Sequence, residues 1–184
     1  MLIRSPKEDI ARVLCSEEQI AARVDELAAE LTARFGDRRP VMVCVLKGAS
    51  FFYTDLCRRM RCALDLDFIS VSSYGVSSQS TGVVRLNKDL EHDITGRDVV
   101  LVEDIIDSGL TVHYLKKLFS SRHPASFTSV AFLDKGGCHA PELAPDLVGF
   151  EIGNDFVVGY GLDYADQYRN LPYIGVLKPE CYTD

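Results

Sequence analysis

Three carboxylates stand close together in one short stretch of this chain. Glu103 and Asp104 end an apolar run, Val99 to Val102, and Asp107 follows after two isoleucines. Ser108, Gly109, Leu110 and Thr111 come next. An apolar run of this kind reads as a buried parallel strand. Ligands of open α/β sheets bind just beyond the carboxyl ends of such strands. The small residues fall where a helix should begin, because Val112 to Phe119 carries helical apolar spacing. A helix start offers free N–H groups and the positive end of a dipole, which suits a phosphate. Gly109 lets the backbone approach the phosphate oxygens. Bare acids would repel that phosphate. They make chemical sense when they accept hydrogen bonds from sugar hydroxyls or hold Mg2+, whose oxygen ligands are shared with substrate phosphates. The plainer alternative is a solvated acidic turn after an ordinary strand.

The elements that would position these groups follow from periodicity. Ser16 and Gln19 form a capping box for a first helix. Its apolar face is Ile20, Val24, Leu27, Ala28 and Leu31, and Gly36 ends it. Val41 to Leu46 is a buried strand, and Lys47 to Ser50 turns from it into a second helix reaching about Met60. Leu64 to Val71 is the next strand. A polar, glycine-bounded loop, Tyr74 to Gly82, precedes a short strand from Val83 to Leu86. Asp98 to Val102 is the central strand, with a helix over 111–121 after it. Strands are also expected at Phe127 to Leu133, Leu147 to Ile152, Phe156 to Val158 and around Tyr173 to Val176. This alternation predicts an α/β fold.

At 184 residues, with 47% apolar and 26% charged residues, the chain suits one globular domain with a sizeable core. A net charge of −7 argues against nucleic-acid binding by phosphate neutralisation. No apolar run approaches membrane-spanning length, and acids near the start occupy the place of a signal peptide's hydrophobic stretch. A cytoplasmic location is expected, with no nucleic-acid or membrane partner. Six cysteines lack Cys-x-x-Cys spacing, and Cys44 and Cys62 read as small core residues rather than disulfide or zinc partners.

The order strand, two acids, two residues, acid, hydroxyl, Gly, one residue, Thr is filled at every position up to Thr111. It resembles the phosphoribosyl-diphosphate (PRPP) motif of the type I phosphoribosyltransferases. Val45 to Ala49, Ser73 to Gly75, Leu133 to Lys135, Phe156 to Tyr164 and Arg169 to Gly175 resemble the bacterial-type hypoxanthine (hypoxanthine-guanine) branch of that family. Order and spacing agree from about Val41 to Leu177. The resemblance implies a central, mainly parallel twisted sheet flanked by helices, with a small hood formed by the terminal segments. It implies one domain over 1–184 with a flexible lid at about 73–82. The implied reaction is reversible: hypoxanthine or guanine plus PRPP gives IMP or GMP and pyrophosphate. A homodimer or homotetramer is implied as well.

The resemblance also distributes roles. Glu103, Asp104, Asp107, Ser108, Gly109, Leu110 and Thr111 would hold the ribose and its phosphate. Asp107 would be the general acid/base at purine N7. Lys47, Gly48 and Arg169 would hold pyrophosphate, and the peptide at Lys47 is often cis in such proteins. Lys135, Phe156 and Val157 would hold the purine, with the Lys135 ammonium on its exocyclic oxygen and Phe156 stacked on its face. Glu103, Asp104 and Asp163 would serve Mg2+. Ser73 and Tyr74 open the lid, which would exclude water. Taken singly, Lys47 has the plainer alternative of a solvated turn lysine and Lys135 that of a surface lysine before a Gly-Gly turn, while Phe156 alone reads first as a core residue and Arg169 alone as an uninformative exposed arginine.

The chain departs from the family pattern at Gly136 to His139, where relatives are more basic or carry proline, and at Gly153 to Asp155. Two other readings stay open. One is a sister enzyme preferring guanine or xanthine. The other is a nucleotide-sensing regulator that reuses the fold to bind RNA.

Overall fold

The computed structural model describes residues 6–73 and 84–183. In chain order its strands are β1 (Ile10–Cys15), β2 (Val41–Leu46), β3 (Asp65–Ser73), β4 (Val84–Lys88), β5 (Asp98–Ile106), β6 (Ser126–Asp134), β7 (Leu147–Glu151), β8 (Val157–Val158) and β9 (Ile174–Leu177). The helices are α1 (Glu17–Phe35), α2 (Ser50–Arg59) and α3 (Leu110–Ser120).

Six strands form one sheet in the order β4-β3-β2-β5-β6-β7, and only β4 runs antiparallel to its neighbour. The uninterrupted apolar runs of β2 and β5 are explained by burial on both faces. Met42, Cys44, Val100, Val102 and Phe132 pack toward α1 and α2. Val41, Val43, Val99 and Leu101 pack toward Val112, Leu115 and Phe119 of α3. Each such side chain, fully buried, contributes about 1.5–3 kcal/mol. The chain moves outward from β2 to β3 in one direction and from β5 to β6 and β7 in the other. The two paths diverge between β2 and β5, which opens a crevice at the carboxyl ends of those strands.

α1 begins as expected: Ser16 and Gln19 exchange side-chain-to-backbone bonds at 3.3 and 2.8 Å. β5 runs further than the apolar residues suggest. Glu103 pairs with Ala131, Ile105 with Leu133 and Ile106 with Asp134, so the acids belong to the strand rather than to a turn after it.

A second, antiparallel sheet has the order β1-β9-β8, with Ile10 opposite Leu177 and Val158 opposite Gly175. It is the hood expected from the terminal segments. β1 itself was not legible: Ala11, Arg12 and Val13 are exposed, so neither a buried run nor an alternation marks it. Pairing with β9 makes it a strand. Tyr74 and the rest of the expected lid, through Gly82, lie outside the described residues, and only the backbone of Ser73 is described, at the end of β3. Among the described residues no helix is long and apolar enough to cross a membrane.

Candidate functional site

Lys47 and Gly48 leave the carboxyl end of β2, Asp107 that of β5, and Lys135 that of β6, so all four lie along one sheet edge. The Leu46–Lys47 peptide is cis. Gly48 is in close quarters on two sides. A Cβ built on it would lie 1.5 Å from Asp104 Oδ2, and one built on Gly161 would lie 2.0 Å from the Gly48 carbonyl oxygen. Any side chain at Gly48 would displace the Asp104 carboxylate. A cavity of about 360 Å3 opens here, lined by Lys47, Gly48, Ser72, Glu103, Asp104 and Thr111 among others.

The two adjacent acids are unlike ordinary surface carboxylates. Glu103 is buried, and its Oε2 has no hydrogen-bond partner among the described residues. Burial, then the neighbouring Asp104, pushes its pKa well up. Asp104 is pushed up to about 6, chiefly by burial, against the opposing pull of the Ile105 N–H and of Arg169. Such groups want a cation or hydroxyl donors when ionised.

α3 starts at Leu110, one residue earlier than its apolar spacing indicates, and Gly109 precedes it with φ +72°. That left-handed conformation, and the 2.8 Å between a would-be Cβ and Leu143 Cβ, both require glycine. The N–H groups of Leu110, Thr111 and Val112 have no acceptor within the helix. A small cavity of about 110 Å3 beside them is lined by residues 105–112 and Glu103. Ser108 is exposed at its mouth. The free N–H groups and the glycine turn lie together at the strand end where the sequence reading expects a phosphate.

The expected cations also converge. Arg169 reaches Asp163 at 2.8 Å, Asp166 at 3.2 Å and the Gly161 carbonyl at 2.8 Å. Lys47 reaches the same Asp166 at 3.3 Å. Asp163 therefore has Arg169 as its partner and also accepts from the Asp166 N–H at 2.8 Å. Its position in an apolar segment does not by itself demand a metal.

On the other side, Lys135 Nζ lies 3.4 Å from Asp107 Oδ2, with Asp107 mostly exposed. Phe156 is partly exposed and stacks on Tyr182, ring centroids 4.6 Å apart, with Tyr164 edge-on. Val157 is buried and paired with Val176. Tyr160 and Tyr168 are packing residues: both are buried, and their hydroxyls donate to Asp55 and Asp9.

Sequence reasoning missed three neighbours of the site. Asp166 bridges the two cations, Tyr182 backs Phe156, and Asp134 pairs with His139 behind Lys135. Only the last left a trace, in the unusual residues after Lys135.

Among the described residues no three potential ligands cluster as a ready-made metal cage. The unpartnered Glu103 oxygen and the adjacent Asp104 do fit Mg2+, which binds one or two carboxylates together with substrate phosphates.

Comparison with known proteins follows the same lines. The family described as "Phosphoribosyl transferase domain" matches residues 14–165. The chain is 52% identical over 176 residues to the hypoxanthine-guanine phosphoribosyltransferase of Bacillus subtilis, covering 96% of this chain and 98% of that protein. It is 46% identical to the hypoxanthine-guanine-xanthine phosphoribosyltransferase of Tritrichomonas foetus, with 96% of each covered. A crystal structure of a hypoxanthine phosphoribosyltransferase from Staphylococcus aureus superposes with a TM-score of 0.94 at 41% identity, covering all of both chains.

Proposed function

We propose, since this chain belongs to the phosphoribosyl transferase family, that it is a purine-salvage enzyme acting on hypoxanthine and guanine. It transfers the phosphoribosyl group of PRPP to N9 of the base and releases pyrophosphate. The observation that carries this reading is the convergence, on one sheet edge, of an anion cradle, an acid pair, two cations and the Lys135–Asp107 pair.

Each group then has a task in the reaction. The α3 N-terminus holds the 5′-phosphate, and Glu103 and Asp104 accept the ribose hydroxyls. Lys47, Arg169 and the Gly48 backbone receive the pyrophosphate and stabilise it as it leaves. Lys135 donates to the 6-oxo group, Phe156 stacks on the base and Val157 reads its edge. Asp107 takes the N7 proton as N9 attacks, and returns it in the reverse direction. Glu103, Asp104 and Asp163 would hold Mg2+, which when bound would supply charge neutralisation for the leaving group. The chain works as one domain, and Ser73 and Tyr74 begin its lid. We read it as a cytoplasmic homodimer or homotetramer, as the family resemblance implies.

A spectrophotometric assay with PRPP, Mg2+ and each purine tests this. Turnover with hypoxanthine, little with adenine and none in excess chelator is expected. No turnover with any 6-oxopurine would overturn the reading. A second arm is xanthine, supported by the 46% identity to a relative whose name includes it.

A further inference from the structure

Asp134 ends β6 immediately before Lys135, and His139 lies on the loop that follows. His139 Nε2 is 2.7 Å from Asp134 Oδ1, and the two side chains are 3% and 7% exposed. His139 Nδ1 is 3.1 Å from the Ala140 carbonyl oxygen. Both ring nitrogens face oxygens, an arrangement in which the imidazolium, with a hydrogen on each nitrogen, can donate to both. Removing one partner of a buried pair of this kind leaves the other without its counter-charge.

The loop carrying His139 touches three parts of the site. The Lys135 N–H donates to the Ile106 carbonyl at 2.9 Å, next to Asp107. A Cβ on Gly109 would lie 3.4 Å from His139 Cβ, so the histidine underlies the phosphate turn. Cys138 Sγ is 2.9 Å from Asn154 Oδ1, two residues before Phe156. The loop is a wedge between the anion cradle and the base side.

We propose that protonated His139 is a positioning residue. By holding Asp134 it sets Lys135 against Asp107 and supports the Gly109 turn, so the grip on nucleotide weakens when His139 loses its proton. This rests on the proposed function above.

The charged groups that act on the ring are Asp134, at the end of β6, and Asp107, just beyond the end of β5. The Asp134 contact, then the Ala140 carbonyl, hold its pKa above the ordinary 6.5, with Asp107 adding to the effect. The pair's contribution is thus complete below 6.5 and is lost as pH climbs through the raised value. Coupling is reciprocal: a nucleotide that prefers the protonated form raises the histidine's pKa further, by one unit for a tenfold preference.

Two measurements test the proposal. The first is calorimetric IMP affinity for wild type and His139→Gln at low and high pH. Near pH 6.5 the variant should bind about tenfold more weakly, and near pH 9 the two should agree within about twofold. A variant-to-wild-type ratio independent of pH would overturn the proposal. The second needs no variant: NMR titration of His139 in the wild type, with and without IMP. Titration above 6.5 that moves higher with IMP supports the role, and titration unmoved by IMP overturns it even should His139→Gln fail to fold. Wild type that neither turns over nor binds IMP overturns the proposed function itself, whereas normal turnover with flat profiles removes only the role of His139.

Discussion

Gly48, on the turn after β2, and Asp104, within the neighbouring strand β5, pack so closely that a methyl group on Gly48 would fall 1.5 Å from the Asp104 carboxylate. On the proposed function, this contact holds the pyrophosphate side and the ribose side of the site in one register. Gly48→Ala must push that carboxylate aside. We expect a loss of roughly 10²-fold in kcat/KM from misplaced groups, with the far-ultraviolet spectrum unchanged. Steady-state kinetics in the pyrophosphorolysis direction measure it, and near-normal kcat/KM would mean the contact has no functional weight.

Asp107 is mostly exposed and faces Lys135. Asp107→Asn keeps the shape and removes proton transfer. kcat should fall by about 10²–10⁴, while the IMP dissociation constant changes only a few-fold. If kcat barely moves, another group handles the N7 proton.

Asp166 occupies both cations assigned to pyrophosphate, at 3.3 Å from Lys47 and 3.2 Å from Arg169. Substrate must displace it. Because Lys47 and Asp166 are largely exposed, the competition is weak. Asp166→Asn should lower KM for pyrophosphate by about two- to fivefold with kcat little altered. A raised KM would instead give Asp166 a supporting role.

Far from the crevice, Asp67 anchors the segment leading into β5. It is buried and accepts from the N–H groups of Phe68, Glu91 and His92 and contacts the His92 ring. Burial raises its pKa, but these donors outweigh it and the net shift is downward from 3.8. Its stabilisation is therefore present above 3.8 and lost as pH falls through the depressed value. Asp67→Asn should cost about 2 kcal/mol near neutral pH, with the gap closing in acid. Urea unfolding at several pH values checks this, and a gap constant with pH would contradict it.

The parts of the site legible in the sequence were those whose chemistry is local. Glu103, Asp104, Asp107 and the Gly109 turn follow one another in the chain, so strand, acids and helix start announce themselves together. Asp166, Tyr182 and the Asp134–His139 pair matter through partners brought in by the fold, and their own residue types look ordinary. β1 shows the same limit in the architecture: three exposed residues in a row say nothing until β9 lies beside them. Asp163 shows the converse, since an acid that looked stranded in its segment has Arg169 beside it.

The hood pairs Ile10 with Leu177, nearly the full length of the chain apart. At a translation rate of about 5–20 residues per second, the first strand waits on the order of ten seconds or more for its partner to leave the ribosome. The six-stranded sheet can assemble on the nascent chain, but Phe156 and Val157 cannot be seated against β9 until synthesis has nearly ended. On the proposed function, ribosome-tethered chains truncated before Ile174 would therefore hold phosphate without yet recognising a base.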